Sequence, residues 1–328
     1  MAAQPAVLAA LAERREAIKE SLAGPAPRGI VVVARGSSDH AGIFGRYLLE
    51  AATGLPVALA APSLQTLYGV QPRVDGWLAI GVSQSGRTPE IATVLERFRK
   101  GGARAVAVTN EPDSPLARGA SVHISLDAGE ERAVPATKTF TAQLAAMALA
   151  AEALGPVPFG AGDWDRLPGV VEELLADASP PERVAEQLQH VDELACVGRG
   201  FLMCVALEAA LKLREAAGLR AEGWSAADFR HGPLTVAGPA LPTLVLSASG
   251  PAAGDVAELA QQLAARGAPV LSVSDDRGAS IPFASGLAEP LATIPATVRA
   301  QQLALALARR RGVDPDHPPG LAKVTPTG

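Results

Sequence analysis

Three groups of side chains in this 328-residue chain have types and spacing suited to chemistry. The first is hydroxyl-rich: Arg35-Gly36-Ser37-Ser38, and then Ser83-Gln84-Ser85-Gly86-Arg87-Thr88. Each follows an apolar run and leads into a helical stretch. Pro89 suits a first helical position and makes Thr88 the N-cap, while Gly86 permits a tight turn in which backbone N–H groups converge. A helix N-terminus with exposed amides and several hydroxyls receives a phosphate well, and neutral donors let it leave again. Ser and Thr also cap helices with no ligand present, so either loop alone has two explanations. The second group is Glu208, Lys212 and Glu215, at i, i+4 and i+7 in one stripe of the otherwise apolar helical stretch 203–217. Such a stripe is either a solvated Glu/Lys ladder or a set of charges facing a polar site, where a glutamate serves as general base. The third is His231-Gly232-Pro233, a histidine in a turn-forming loop, set apart from His40, His123, His190 and His317 only by its position after that stripe.

Other chemistries lack their parts. Gly198-Arg199-Gly200 follows an apolar run but has no third glycine three residues on, and GxxxxGK[ST] does not occur, so neither NAD nor ATP is expected. No metal-ligand cluster and no cofactor are expected. Cys196 and Cys204 lie in apolar sequence without a CxxC pattern and read as core residues of a reducing, cytoplasmic compartment. A formal charge of −5, with three Trp, two Tyr and seven Phe, offers no footprint for nucleic acid. The uncharged stretches 51–72 and 232–254 are each broken by prolines, so no membrane-spanning helix is expected there, and the amphipathic opening stretch is not expected to be a signal peptide.

The elements that must position these residues repeat. The apolar runs ending at Arg35-Gly36 and at Arg199-Gly200 are 164 residues apart, as are the turns Ser83-Gln84-Ser85-Gly86 and Ser247-Ala248-Ser249-Gly250. A third pair, 105–109 and 270–274, follows at 165. Three matches in order predict a duplicated domain. Short β-branched runs alternate with Ala/Leu-rich helical stretches, the grammar of α/β units with a doubly wound, flavodoxin-like parallel sheet, and ligands of such sheets bind beyond the carboxyl ends of the strands. The expected layout is an N-terminal helix (1–27, amphipathic over 7–22), a first domain (28–158) with the phosphate site, a helical connector (159–190), a second domain (191–312) with the Glu and His, and a tail (313–328). The second copy of the turn has no counterpart of Thr88, so no phosphate is expected there.

Six stretches in order resemble the SIS (sugar isomerase) double-domain family: 34–40, 83–88, 134–140, 206–215, 231–234 and 321–323. The chain is most similar to the isomerase half of glutamine:fructose-6-phosphate amidotransferase and to free-standing aminosugar-phosphate isomerase/deaminases. The resemblance implies that Arg35, Gly36, Ser37, Ser38, Ser83, Gln84, Ser85 and Thr88 hold a sugar phosphate, with Val134 adding backbone contacts and Lys212 nearby. It implies Glu215 as the base between C1 and C2, His231 as the ring-opening group and Lys323 as a tail amine near the open-chain carbonyl. It further implies a homodimer whose site is shared between subunits. The chain starts Met1-Ala2-Ala3 with no leading cysteine, so no use of glutamine is expected; Arg35 with Ser37-Ser38 matches the free-standing branch. The expected reaction converts glucosamine 6-phosphate, or an epimer, to fructose 6-phosphate and ammonia. A fructosamine-phosphate deglycase, an aldose–ketose isomerase and a non-catalytic sugar-phosphate sensor are the rivals.

Overall fold

All four consecutive β-branched residues of β1 (Ile30–Val33) are buried, as a strand covered on both faces requires. The computed structural model describes residues 1–321. In it β1 joins β2 (Val57–Leu59), β3 (Leu78–Val82), β4 (Arg104–Thr109) and β5 (Val122–Ser125) in a parallel sheet of order β2-β1-β3-β4-β5. A second parallel sheet contains β6 (Glu193–Gly198), β7 (Arg220–Ser225), β8 (Thr243–Ser247), β9 (Val270–Ser274) and β10 (Ile281–Pro282), in the order β10-β9-β8-β6-β7. Read from its other edge, the second order repeats the first strand for strand. The runs matched at long offset in the sequence are β1 with β6, β3 with β8 and β4 with β9. Each sheet has the doubly wound order 2-1-3-4-5, and its switch point lies between β1 and β3, or between β6 and β8.

The chain forms two compact units: Ala6–Glu131 with Lys138–Gly160, and Met1–Pro5 with Arg132–Thr137 and Ala161–Leu321. In the first, Val31, Val33, Ala79, Ala105 and Ala107 face Ile91, Val94, Leu95 and Phe98 of the helix Pro89–Lys100, whose apolar residues recur at i, i+3, i+4 and i+7. The alternate strand residues point to the other face, where a Cβ on Gly42 of the helix Ser37–Thr53 would sit 3.2 Å from Val32. In the second, Ala195, Val197 and Val245 pack on Phe229, Val256, Leu259 and Leu263. The helices Leu202–Ala217 and Glu289–Arg311 pack together in the same unit.

The amino-terminal region departs from the single helix expected. It forms two, Gln4–Glu13 and Arg15–Leu22, because Arg14 leaves helical geometry (φ −90°, ψ 7°) with its guanidinium held 2.6 Å from Asp127 and 2.7 Å from the Ser125 carbonyl. Region 159–190 contains the helices Ala161–Ala176 and Ser179–Leu188, both packed on Glu289–Arg311. There the buried Arg299 donates to the carbonyls of Leu174, Asp177 and Pro282 at 3.3, 2.5 and 2.8 Å. Both cysteines are buried, and burial pushes the Cys196 thiol up to about 12 and Cys204 up as well, so neither is a nucleophile. Among the described residues no helix is long and apolar enough to cross a membrane.

Candidate active site

The two hydroxyl-rich turns leave β1 and β3, the neighbouring strands that flank the switch point of the first sheet. Gly36 (φ 58°) turns the chain into Ser37 and Ser38, the first residues of the helix Ser37–Thr53. Gly86 (φ 59°) makes the second turn, and Thr88 and Pro89 start the next helix as N-cap and first residue. Gly86 is required twice over, since a Cβ there would meet Ser114 Oγ at 2.2 Å and Thr109 Oγ1 at 2.9 Å. The Gln84 carbonyl accepts from Thr109 Oγ1 and from Asn110 N, both at 3.1 Å, which ties the turn to the end of β4.

The hydroxyls share a polarity. Ser38 Oγ accepts from Gln143 Nε2 (2.9 Å), Ser83 Oγ from Gly86 N (3.2 Å) and Ser85 Oγ from Arg87 N (3.2 Å). Thr88 makes no side-chain cap bond although it occupies the capping position. Among the described residues none of the hydroxyls of Ser37, Ser38, Ser83, Ser85 and Thr88 donates a hydrogen bond, so five O–H groups remain to point at an acceptor. A phosphate dianion is an acceptor on every oxygen. Arg35 is held differently: its Nε and Nη2 donate to the two carboxylate oxygens of Glu90 at 3.0 and 3.2 Å. Burial, opposed by His40 and Arg35, raises the Asp39 carboxyl above its ordinary range. A cavity of about 620 Å³ borders this loop, lined by Gln84, Ser85, Arg87, Asn110 and the carboxylates of Glu111, Asp127, Glu130 and Glu131.

The second unit contains Val134, Lys212, Glu215 and His231. On the helix Leu202–Ala217, Lys212 lies 3.4 Å from Glu208 and in hydrogen-bond contact with Glu215. Glu208 and Lys212 are buried, and the Glu215 side chain is 19% exposed. The stripe is therefore not a solvated ladder. Burial pushes the Lys212 ammonium down, but Glu208 and Glu215 together outweigh it and raise the group above 10.5. His231 is exposed and ends the short helix Ala226–Arg230. Val134 spends its N–H on the Asp316 carbonyl at 3.1 Å. Lys323 lies outside the described residues.

At the switch point of the second sheet the chain supplies its own anion. A Cβ on Gly250 would lie 2.2 Å from Glu289 Oε2 and one on Gly200 3.6 Å from Oε1, while Ser249 N donates to Asp275 at 2.7 Å. Carboxylates thus stand at the turns of the second sheet that correspond to the hydroxyl-rich turns of the first. Burial, then Asp275, hold the Glu289 carboxyl above its usual range. Sequence reasoning passed over Glu90 and Glu289, because a first-turn acid is ordinary helix grammar and only the fold reveals what it meets. Among the described residues no cluster of His, Cys, Asp and Glu is arranged to hold a metal ion.

Comparison with known proteins agrees with this layout. The chain is 35% identical over 317 residues to glutamine–fructose-6-phosphate aminotransferase (isomerizing) of Symbiobacterium thermophilum, covering 90% of this chain and 51% of that protein. It thus spans about half the length of the curated relatives it matches. The C-terminal domain of glucosamine-fructose-6-phosphate aminotransferase from Francisella tularensis shares the fold with a TM-score of 0.83 at 22% identity, over 96% of this chain and 95% of that one. Glucosamine-6-phosphate deaminase from Thermotoga maritima shares it with a TM-score of 0.78 at 24% identity, over 98% and 99%. The SIS domain pattern matches residues 26–153 and 187–289, one stretch for each sheet, and the chain belongs to the SIS domain family.

Proposed function

We propose that the chain is an aminosugar-phosphate isomerase/deaminase that turns glucosamine 6-phosphate, or a close epimer, into fructose 6-phosphate and ammonia. The observation that carries this reading is the set of five undonated hydroxyls on two turns at one switch point, a receptor for a phosphate. Ser37, Ser38, Ser83, Ser85 and Thr88 hold that group, with Gly36 and Gln84 supplying backbone contacts.

The remaining steps need a base and acids. His231 opens the sugar ring. Glu215, kept mostly from water on its helix, removes the C2 proton and returns it to C1, so that the aldehyde carbon becomes an alcohol and C2 becomes a ketimine. Water adds at C2 and the C–N bond breaks, releasing ammonia and leaving the ketone. Lys212, fixed as an ammonium between Glu208 and Glu215, steadies the base and the negative charge that develops on O1 as C2 loses its proton. Lys323 serves the open-chain carbonyl. The working unit is a cytoplasmic homodimer.

Incubating the purified chain with glucosamine 6-phosphate and measuring ammonia and fructose 6-phosphate tests the reading. Wild type should release both in equal amounts, and Glu215→Gln should lower kcat by about 10² to 10⁴. Binding without turnover would instead make the chain a sensor. Turnover only of an unaminated aldose phosphate, or only of a fructosamine phosphate, would make it an isomerase or a deglycase.

A further inference from the structure

Resting on the phosphosugar reading, we propose that Arg35 and Glu90 are positioning residues, an ionic clamp that sets the spacing and charge of the two phosphate-binding turns without Arg35 itself touching the phosphate. The second turn is fastened on its β4 side by backbone bonds: Ser83 N to the Val108 carbonyl, Asn110 N to the Gln84 carbonyl and Leu116 N to the Gly86 carbonyl, each at 3.1 Å. Between this turn and the one after β1 stands the Arg35–Glu90 fork, with bonds of 3.0 and 3.2 Å. A planar guanidinium that grips both oxygens of a carboxylate fixes direction as well as distance. The Glu90 side chain is 12% exposed and sits in the first turn of the helix whose start would face the phosphate. Uncompensated, that carboxylate would repel a dianion; paired, it is neutral.

The duplicated unit is an internal control. Arg199 follows β6 as Arg35 follows β1, and its Nε lies 3.4 Å from Asp255, a first-turn acid of the helix Ala253–Ala265 that follows β8; Asp255 also accepts a 2.8 Å hydrogen bond from Arg230. That unit lacks the hydroxyl cluster and fills its switch point with Glu289, yet it keeps the arginine–carboxylate pair. An arginine after the first strand thus approaches a first-turn acid after the third strand even where the hydroxyl cluster is missing, which supports a role in joining turns.

The test is calorimetric binding of fructose 6-phosphate to the full chain as wild type, Arg35→Met, Glu90→Gln, the double variant and Arg35→Lys. Arg35→Met should weaken binding about tenfold, and in turnover the loss should fall on KM rather than kcat. In the double variant most of that loss should disappear, because the uncompensated carboxylate is gone. Arg35→Lys, which keeps the charge and loses the fork, should fall between. Arg199→Met should leave the affinity unchanged. A loss that persists undiminished beside Glu90→Gln would make Arg35 a direct ligand and overturn the clamp, as would Arg35→Met binding like wild type. Wild type binding neither fructose 6-phosphate nor glucosamine 6-phosphate would sink the phosphosugar reading and the clamp with it.

Discussion

Lys212 stays an ammonium throughout the range in which enzymes work. Burial alone would push it toward neutrality, but two carboxylates on the same helix reverse the sign. A lysine raised above its unfolded value contributes stability that is fully present below that value and lost as pH rises through the folded one. The ion triad should therefore stabilise the protein fully below about 10.5 and lose its contribution progressively above it. Thermal melts of wild type against Lys212→Met/Glu208→Gln, run from neutral to strongly alkaline pH, should show the gap narrowing only above that point. Lys212→Met alone leaves the buried Glu208 without its partner ammonium and should cost about 3 to 5 kcal/mol in chemical denaturation at neutral pH. In the proposed reaction Lys212 stabilises and orients, and the proton is moved by Glu215, the more exposed of the two carboxylates.

Strand-end turns decide what each sheet can bind. In the first unit Gly86 must be glycine, since any Cβ would enter Ser114 and its φ is positive. Gly86→Ala should lower stability by about 1 to 3 kcal/mol and raise KM for a phosphorylated sugar more than Ser85→Ala does, because it displaces every amide of the turn rather than one hydroxyl. The equivalent place in the second unit holds Glu289, whose raised carboxyl is stabilising when protonated. Its contribution is present below about 4.5 and lost as pH rises through the higher folded-state value. Glu289→Gln should accordingly melt above wild type at neutral pH, with the advantage vanishing in acid. An equal shift at both pH values would show that the carboxylate is not strained by its place. The duplicated turn thus carries two contents: a hydroxyl cluster in one copy, and a resident acid in the other.

For the whole molecule, the proposed homodimer with a shared site makes a quantitative forecast. Mixing Ser83→Ala/Thr88→Ala chains with His231→Ala chains, each nearly inactive alone, and letting subunits exchange should restore about a quarter of wild-type activity, one rebuilt site in each mixed dimer. No recovery after demonstrated exchange would confine the histidine to its own chain. The architecture was legible in the residues: β-branched runs, helix starts and a constant offset report local and repeated properties, and both sheets follow from them. The hydroxyl turns and the Glu208–Lys212–Glu215 stripe were also legible, since helix and strand periods place neighbours along one element. What the sequence could not reveal is which groups meet across elements. Arg35 has no visible partner in the sequence until the fold brings Glu90 to it from 55 residues away, and Glu289 reads as a first-turn acid until it lies over Gly250. Local order follows from periodicity written in the chain, whereas charge pairing is a matter of distances between distant segments, and only packing around the two sheets set those distances.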